Sequence, residues 1–530
     1  MRHFLLLTAA ITAVPGAALA AQAPQLTARD SAFHALNRLA YGARPGEVDS
    51  VARFGVMRWI DRQLDPDRID DKVLERREEA FKILALDREE LAQRFVDAQR
   101  ERRRMQRELG DSVKGAGRRP MREFRELAGE LQQLVVLRAT VSERQLREVM
   151  VDFWTNHFNV FAAKGADRFL LPSYIEQTIR PRALARFEDL LIATAESPAM
   201  LFYLDNVQSV APGSSPPRRL FGRGRFGQNE MPEDRRRRPS GINENYAREL
   251  LELHTLGVDG GYTQQDVVDV ARIFTGWSIE RPDRGAGFVF RDWAHDYGDK
   301  RVMGLSLRGE GKSEGVQLLK FLANHPATMH HVSAKLCARF VADEPPDGCV
   351  DVAVAAWRNT RGDVRAVLRA IFKSPDFWAH QAVRSKVKTP LEFVVSAVRA
   401  VAAAPDTTPR LAQVVARLGQ PLYLQSAPTG YPETESHWVN SGALLARMNA
   451  AIALAAGKLP GVEGDLGGVV PTTSDRQQLV DLVSDHVLGG TMSAHTKTVI
   501  TNQLTDITDP VRARVLAVGL ALGGPDFQKQ

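Results

Sequence analysis

The sequence predicts an all-α protein, a mainly helical array of many helices with one short β-hairpin. Through most of the 530 residues, apolar side chains recur every three or four positions, which is the spacing of one buried helix face. Proline, glycine and small polar residues separate these segments, as they do at helix ends. Strand-like composition is confined to Phe288–Phe290 and Val302–Met303, which flank the turn-rich segment WAHDYGDK and predict the hairpin.

The first twenty residues predict a secretory signal peptide. Arg2 and His3 give a basic start, residues 4–18 are mostly apolar, and Ala18-Leu19-Ala20 is a small-x-small cleavage site. This run is too short to span a membrane, and no other uninterrupted apolar run is long enough, so no transmembrane anchor is predicted. We therefore expect cleavage after Ala20 and a periplasmic or secreted protein.

The remaining chain divides into three predicted helical regions. Residues 21–140 begin with a helical hairpin around Gly42 and Pro45 and continue with long helices whose charges alternate in sign, as on solvated helix faces. Residues 141–404 form a central region that holds most of the polar motifs. Residues 405–530 carry further amphipathic helices, which we expect to pack on the same domain.

Basic charge is concentrated in residues 211–240. This segment is rich in proline, glycine and arginine and has eight arginines against three carboxylates, whereas the rest of a chain of net charge +6 is almost balanced. Its composition predicts a disordered loop. The loop either contacts an anionic envelope polymer or another exported protein, or it is only a solvated insertion. The balanced remainder argues against a specific nucleic-acid surface.

Two helices of the central region begin with polar capping motifs. Ser142-x-x-Gln145 predicts a capping box for a helix whose apolar face includes His157. Thr263-x-x-Asp266 predicts a second capping box for the helix over 264–275. The second motif explains Thr263 and Asp266 structurally, so neither is a candidate site residue.

A further helix is predicted over Glu244–Leu256. At 100° per residue, Glu249, Glu252 and Asn245 share one side, whereas His254 lies on the buried flank. A carboxylate pair can supply the two protonation states of general acid and base catalysis. The alternative is an ion pair with Arg248 or with another helix. Because Glu252 and His254 point in nearly opposite directions, this helix alone does not form a metal clip.

The candidate site residues lie in the FWTNHFNV helix, the 243–254 helix and the predicted hairpin. The predicted catalytic residues are Glu249, Glu252, His157, His295 and Asp296. The predicted substrate-binding residues are Asn156, Asn243, Asn245, Trp277 and Lys300. At a hairpin tip, His, Asp and Lys together indicate function more strongly than a helix-buried histidine does. The alternatives are a core histidine at position 157 and a carboxylate at position 296 that caps its own turn.

The two cysteines, Cys337 and Cys349, are close in sequence, and export permits a disulfide between them. We hypothesise that they pair, although spacing alone does not fix the Cβ geometry that a disulfide needs.

Several long motifs resemble a bacterial family known as the domain of unknown function 1800. The resembling segments are LNRLAYGARPGEVDSV, FWTNHFNV, NENYARELLELHTLGVDGGYTQQDV, ARIFTGW, HDYGDKRVMG, HPATMHHVSAKLCARFVADEPP, KTPLEFVVSAVRA and the final ALGGPDFQ. The resemblance spans nearly the whole mature chain. It implies an exported, mainly helical protein and assigns no activity, and the Arg-rich segment is outside the family pattern.

Three functional hypotheses follow from the sequence. The first is an exported hydrolase that acts on an envelope or extracellular polymer through the carboxylate and histidine residues above. The second is a non-catalytic envelope scaffold or partner-binding protein, in which the same groups form a buried hydrogen-bond network. The third is a metal or cofactor protein. No cofactor can be assigned, because the sequence lacks a Walker loop and the GxSxG, HExxH and CxxC patterns.

Overall fold

The computed structural model describes residues 26–109, 122–214, 241–464 and 468–530. Helices dominate these residues, as predicted, and the strands within them form three two-stranded pairs. The predicted signal peptide and residues 215–240 of the predicted disordered loop lie outside the described residues. No helix in the described part of the chain is long and apolar enough to cross a membrane.

The helices follow one another along the chain with short connections. The first group is α1 (Ala28–Arg38), α2 (Glu47–Phe54), α3 (Val56–Gln63), α4 (Lys72–Glu78), α5 (Arg88–Leu109) and α6 (Arg122–Val141). The second group is α7 (Gln145–His157), α8 (Asp167–Ser173), α9 (Phe187–Ala195), α10 (Pro198–Tyr203), α11 (Asn245–Glu249) and α12 (Gln264–Ile273).

After a β-containing segment the chain returns to helices. The third group is α13 (Lys312–Ala323), α14 (Pro326–Phe340), α15 (Asp347–Thr360), α16 (Val364–Lys373), α17 (Pro390–Ala400) and α18 (Arg410–Arg417). The fourth is α19 (Glu435–Trp438), α20 (Ser441–Ala455), α21 (Arg476–Val487), α22 (Ala494–Gln503), α23 (Pro510–Gly523) and α24 (Pro525–Gln528). Buried apolar side chains from all four groups join in one hydrophobic core.

The strands correct the predicted hairpin. β2 (Phe288–Phe290) pairs with β1 (Trp277–Ile279) and not with the strand at residue 302. That strand, β3 (Lys300–Val302), pairs with β4 (Leu305–Leu307). Both pairs are local and antiparallel. Met303 (φ 47) and Gly304 (φ 92) form the two-residue turn between β3 and β4. A third pair joins β5 (Ala404–Pro405) to β6 (Val462–Glu463).

One predicted capping box is present and the other is not. Thr263 Oγ1 accepts a hydrogen bond from the Asp266 amide (3.2 Å), and the Asp266 carboxylate accepts one from the Thr263 amide (2.8 Å). At the start of α7, Ser142 donates instead to the buried Asp71 carboxylate (2.5 Å). Gln145 accepts from the amide of Tyr41 (3.0 Å). Long-range partners therefore take the groups that a local cap would have used.

Two helical segments have the wider π geometry. Residues Tyr174–Ile179 follow α8 directly, and residues Leu250–Thr255 continue α11. The second segment ends at Thr255, and Gly257 two positions later adopts a left-handed conformation (φ 84), which is typical of the residue that follows a helix. Single π turns within α-helices are rare, and those that are found often lie at functional sites. The helix predicted over 244–256 is therefore an α turn followed by a π segment.

Cys337 and Cys349 form a disulfide between α14 and the start of α15, which confirms the pairing hypothesis. Both residues are buried, and 12 positions separate them in sequence. We expect a Cys337→Ala, Cys349→Ala double variant to lose about 2–3 kcal/mol of unfolding free energy, because it loses a short covalent loop. Urea unfolding of both proteins, with and without reductant, measures this difference. Reductant should weaken only the parent protein, and equal midpoints for all four samples would contradict the expectation.

Candidate functional site

Helix α7 presents one face to the core and the opposite face to a cleft. Its core face carries Val149, Met150 and Phe153, all buried. The opposite face carries a polar stripe at helical spacing: Glu148, Asp152, Thr155, Asn156 and, just beyond the helix, Asn159. These five residues line a cleft. An amphipathic helix in a protein core normally turns its polar face to solvent, so this stripe needs its own explanation.

The other walls of the cleft come from distant parts of the chain. Arg138 comes from α6, and Glu176 and Arg180 come from the π segment after α8 and the turn that follows it. Aromatic and amide groups add Tyr41, Gln420, Tyr423 and Tyr431. Seven aliphatic residues add apolar surface: Leu131, Leu134, Val135, Ala139, Val151, Ile175 and Leu422. The cleft therefore combines carboxylates, guanidinium groups, amides and tyrosine rings.

Two arginine–carboxylate pairs fix the charges at one side of the cleft. Arg180 donates from two nitrogens to the two oxygens of Glu148 (2.9 and 2.6 Å). Arg138 binds Glu176 in the same two-pronged way (2.6 and 3.0 Å). Burial alone would raise the pKa of Glu148, but the charge and hydrogen bonds of Arg180 outweigh it and hold the pKa at about 2. Glu148 therefore remains ionised at neutral pH.

Asp152 lies one helical turn after Glu148, and its carboxyl group differs from that of Glu148 in pKa. Burial raises the pKa of Asp152 to about 7, against the opposing charge of Arg339 and together with the like charge of Glu433. Within the described residues, no donor makes a hydrogen bond to its carboxyl group, and the residue is only half-buried at the cleft wall. A carboxyl that is free of structural bonds and titrates near neutrality is suited to proton transfer.

The segment 420–431 closes the cleft and is held to α7 by two asparagines. Asn156 donates to the Tyr431 carbonyl (2.8 Å) and accepts from the Tyr431 amide (2.6 Å). Asn159 donates to the carbonyls of Gln425 (3.0 Å) and Ala427 (2.8 Å). Gly430 (φ 72) passes so close to Asn156 that an added Cβ would lie 2.4 Å from its carbonyl oxygen.

Tyr423, within this segment, has a left-handed backbone (φ 61) although it carries a bulky side chain. Its carbonyl accepts a hydrogen bond from the Ala162 amide (2.9 Å), which holds the backbone in place. A non-glycine residue in this region costs about 1–3 kcal/mol and occurs preferentially at functional sites. The strained residue here is one that lines the cleft.

Of the ten predicted site residues, Asn156 lines this cleft. His157 points to the other side of α7, where its Nε2 lies 3.2 Å from the His254 carbonyl and the two rings are 6.2 Å apart. Both histidines are buried, and burial lowers the pKa of each far below 6.5, so both rings are neutral. The FWTNHFNV helix and the 243–254 helix therefore do meet, but through neutral core imidazoles.

Glu249 and Glu252 lie on a half-buried flank outside the residues that line the cleft. Burial and the charge of Glu252 raise the pKa of Glu249, while Arg248 opposes the shift, so the two carboxylates are near neighbours as predicted. Asn243 and Asn245 tie this helix to the preceding loop: their amides donate to the carbonyls of Asp205 (3.4 Å) and Leu204 (3.2 Å). A catalytic role for the glutamates stays a prediction.

His295 and Asp296 do not form a hairpin tip. They lie between the two β-hairpins, and His295 is 4% exposed. Its Nδ1 is 2.9 Å from the Thr275 carbonyl and its Nε2 is 3.2 Å from Glu314, which also accepts from Lys300 (2.6 Å). Asp296 accepts two hydrogen bonds from Arg272 (2.8 and 3.2 Å). Trp277 is fully buried in β1. The predicted loop cluster is thus a buried polar network.

Asp152 and Glu148 are absent from the predicted site residues, because the apolar period of this helix predicts its buried face and says nothing about the polar stripe opposite that face. The signal is present in the sequence: Glu148, Asp152, Thr155 and Asn159 recur at intervals of three and four. A buried apolar face does not reveal whether the opposite face meets solvent or a cleft. The partners that form the cleft are far away in sequence, and periodicity carries no information about them.

Within the described ranges, no cluster of three or more His, Cys, Asp or Glu side chains has an arrangement that could hold a metal ion. No curated protein and no solved structure matches the chain. One family model does match, over residues 34–529, and its description is "Protein of unknown function (DUF1800)". That match includes α7, the cleft and the C-terminal helices, and the chain therefore belongs to the DUF1800 family.

Proposed function

We propose that this protein is an exported hydrolase that cleaves glycosidic bonds in an envelope or extracellular polysaccharide, with Asp152 as its general acid. One observation carries the proposal. Asp152 lines the cleft without a hydrogen bond from the described residues, and its pKa is about 7, while Glu148 on the same stripe has a pKa of about 2. Two carboxyl groups whose environments separate their pKa values are the usual basis for acid and anion roles in one site.

The lining of the cleft supports a polyhydroxyl substrate. The Gln420 oxygen accepts from the Leu391 amide (2.9 Å), which leaves its amide nitrogen to donate to a hydroxyl group, and the tyrosines supply flat apolar faces. The arginine charges are already paired with Glu148 and Glu176, so the cleft presents little net positive charge to an acidic ligand. This lining favours a neutral sugar chain over a phosphorylated or strongly acidic one.

The proposed reaction uses the two carboxyl groups in different roles. Asp152 donates its proton to the bridging oxygen as the bond between that oxygen and the sugar carbon breaks. Glu148 stays ionised, and its ion pair with Arg180 forms a fixed polar wall beside the reacting sugar. A water molecule then bonds to this carbon and gives its proton to the Asp152 carboxylate, which restores the starting state.

Export is part of the proposal and is supported by residues 1–20, whose pattern is that of a signal peptide. An enzyme outside the cytoplasm would meet envelope and extracellular polymers directly. Residues 211–240 are proposed as an additional contact for an anionic polymer or an exported partner, because they concentrate eight arginines.

The proposal is tested by hydrolysis of a panel of aryl glycosides and of neutral envelope polysaccharides. We expect Asp152→Asn to lower kcat by about 10²–10⁴-fold, because an amide cannot donate the proton. In the parent protein, activity should fall as the pH rises through about 7, because only protonated Asp152 is a general acid. Thermal unfolding of the variant should occur at or above the temperature of the parent protein, because the amide has the same shape and removes a carboxyl whose pKa burial raises.

Matched controls separate the cleft from the carboxylates predicted from the sequence. Glu249→Gln and Glu252→Gln should leave kcat unchanged, because neither residue lines the cleft. Loss of activity in these variants, with full activity in Asp152→Asn, would move the site to the 243–254 helix. If the parent protein binds sugars but neither it nor any variant hydrolyses them, the non-catalytic alternative is favoured and the enzymatic proposal is overturned.

A further inference from the structure

A second cavity lies between the N-terminal and C-terminal parts of the chain. Its walls come from α1 and α2, from the buried helix α17 and the residues just before it, and from the chain around α21 and α24. None of its lining residues belongs to the cleft around Asp152. Phe33 and Phe527 give the cavity apolar walls, and Lys388 is the basic residue deepest within it.

Lys388 is 2% exposed, and its ammonium group lies 3.9 Å from the centre of the Phe527 ring. Among the described residues, no oxygen accepts a hydrogen bond from its Nζ and no carboxylate lies within ion-pair distance. A buried ammonium group without acceptors is expensive, because three N–H groups lose their bonds to water. Burial accordingly lowers the pKa of Lys388 to about 7.

The carboxylates near Lys388 are committed to other groups. Asp49 pairs with Arg29 (2.9 Å), and Asp526 accepts from the Ser493 amide (2.8 Å). Glu392, the carboxylate that most favours the charged lysine, accepts from Arg339 and from the Thr389 amide. Asp485, at the exposed rim, makes no ion pair with Lys388 either, so the described residues leave this ammonium group open to an acceptor from outside the chain.

We propose that this cavity binds a small organic acid through a single carboxylate on Lys388, with its apolar body between Phe33 and Phe527. A carboxylate accepts charge-assisted hydrogen bonds from an ammonium group. The two arginines of the lining, Arg29 and Arg44, are paired with Asp49 and Glu143, so among the described residues Lys388 offers one unpaired positive charge, which fits a singly charged anion better than phosphate. The aromatic walls favour a flat or aliphatic body. A monocarboxylate with an apolar body provides an acceptor for Lys388, carries a single negative charge and can pack against the aromatic walls.

The test is isothermal titration of the full-length protein with benzoate, with benzamide as its neutral analogue and with inorganic phosphate. We expect benzoate to bind and the other two not to bind at the same concentrations. Lys388→Met should weaken benzoate binding at least tenfold, and Lys388→Arg should retain part of it. Lys388→Met should still fold, because it replaces a buried charge with an apolar side chain of similar length.

Lys312→Met is the matched control, because Lys312 also lies over an aromatic ring, at 4.8 Å from that of Phe288, but outside this cavity. It should bind benzoate as the parent protein does. Equal benzoate binding by the parent protein and Lys388→Met would overturn the proposal, as would the absence of benzoate binding by the parent protein. Tighter binding of phosphate than of benzoate would overturn the assignment to a monocarboxylate.

Discussion

Glu392→Gln should lower the free energy of unfolding by about 3–5 kcal/mol, the cost of leaving one member of a buried ion pair without its partner. Glu392 and Arg339 are both 4% exposed. The Glu392 carboxylate accepts a hydrogen bond from Arg339 and another from the Thr389 amide (2.8 Å), so the same group serves as ion-pair partner and helix cap. The neutral amide leaves the Arg339 guanidinium buried and uncompensated.

The pH dependence of this loss follows from the pKa of Glu392. Burial raises that pKa, but the charge of Arg339 and the Thr389 amide outweigh burial and hold it at about 2, below the ordinary 4.5. The ion pair therefore stabilises the fold fully above pH 4.5, and its contribution is lost as the pH falls towards 2. Urea unfolding at pH 7 and pH 4 should show the difference between Glu392→Gln and the parent protein shrinking at the lower pH.

Two further variants define the interaction. Glu463→Gln is the control, because Glu463 is exposed on β6, and we expect a change within about 0.5 kcal/mol. Arg339→Met combined with Glu392→Gln should cost less than Glu392→Gln alone, because it removes the uncompensated charge. A loss below 1 kcal/mol for Glu392→Gln, or strict additivity in the double variant, would contradict a tightly coupled pair.

Local sequence signals predicted the local structure correctly. Thr263 and Asp266 form the predicted capping box because every atom in it belongs to one helix turn. Gly257 ends its helix for the same reason. Ser142 and Gln145 carry a similar motif, but their side chains form hydrogen bonds with Asp71 and Tyr41 in place of a local cap. A capping motif is a prediction about neighbours in sequence, and tertiary partners can replace those neighbours.

The hairpin and the candidate site show a second limit of prediction from sequence. Strand composition at residues 288–290 and 302 was recognised, but composition does not name the pairing partner, and each strand took one closer in sequence. Likewise, His295 and Lys300 were predicted to lie together, and both do contact Glu314. Their burial was not predicted, because Glu314 comes from a helix that periodicity could not place against them.

The electrostatics of the cleft depend on contacts across the chain. Arg180, 32 positions from Glu148, holds that residue ionised, whereas Asp152 on the same helix lacks a partner of its own. No pattern within one helix distinguishes these two carboxyl groups. The family, the helical class and the polar stripe could be predicted from the sequence, but the assignment of acid and anion roles required the structure.

Asp167→Asn should raise the free energy of unfolding at pH 7 by about 2–4 kcal/mol, because the buried parent carboxyl must take up a proton in order to fold. Asp167 is 0% exposed, and neither of its oxygens has a hydrogen-bond partner. Burial raises its pKa to about 9, with Lys164 opposing and Asp205 adding to the shift. Lys164 is paired with Asp205 (2.9 Å), so it does not compensate the buried carboxyl.

The sign of the pH dependence distinguishes this expectation from a packing effect. The folded pKa lies above the ordinary 3.8, so the cost to the parent protein grows as the pH rises from about 4 to about 9. The advantage of Asp167→Asn should therefore be near zero at pH 4 and largest at pH 9, as measured by urea unfolding across that range. Asp259→Asn, at an exposed position, should show no such trend. A constant advantage, or destabilisation at pH 9, would mean that Asp167 is ionised in the fold.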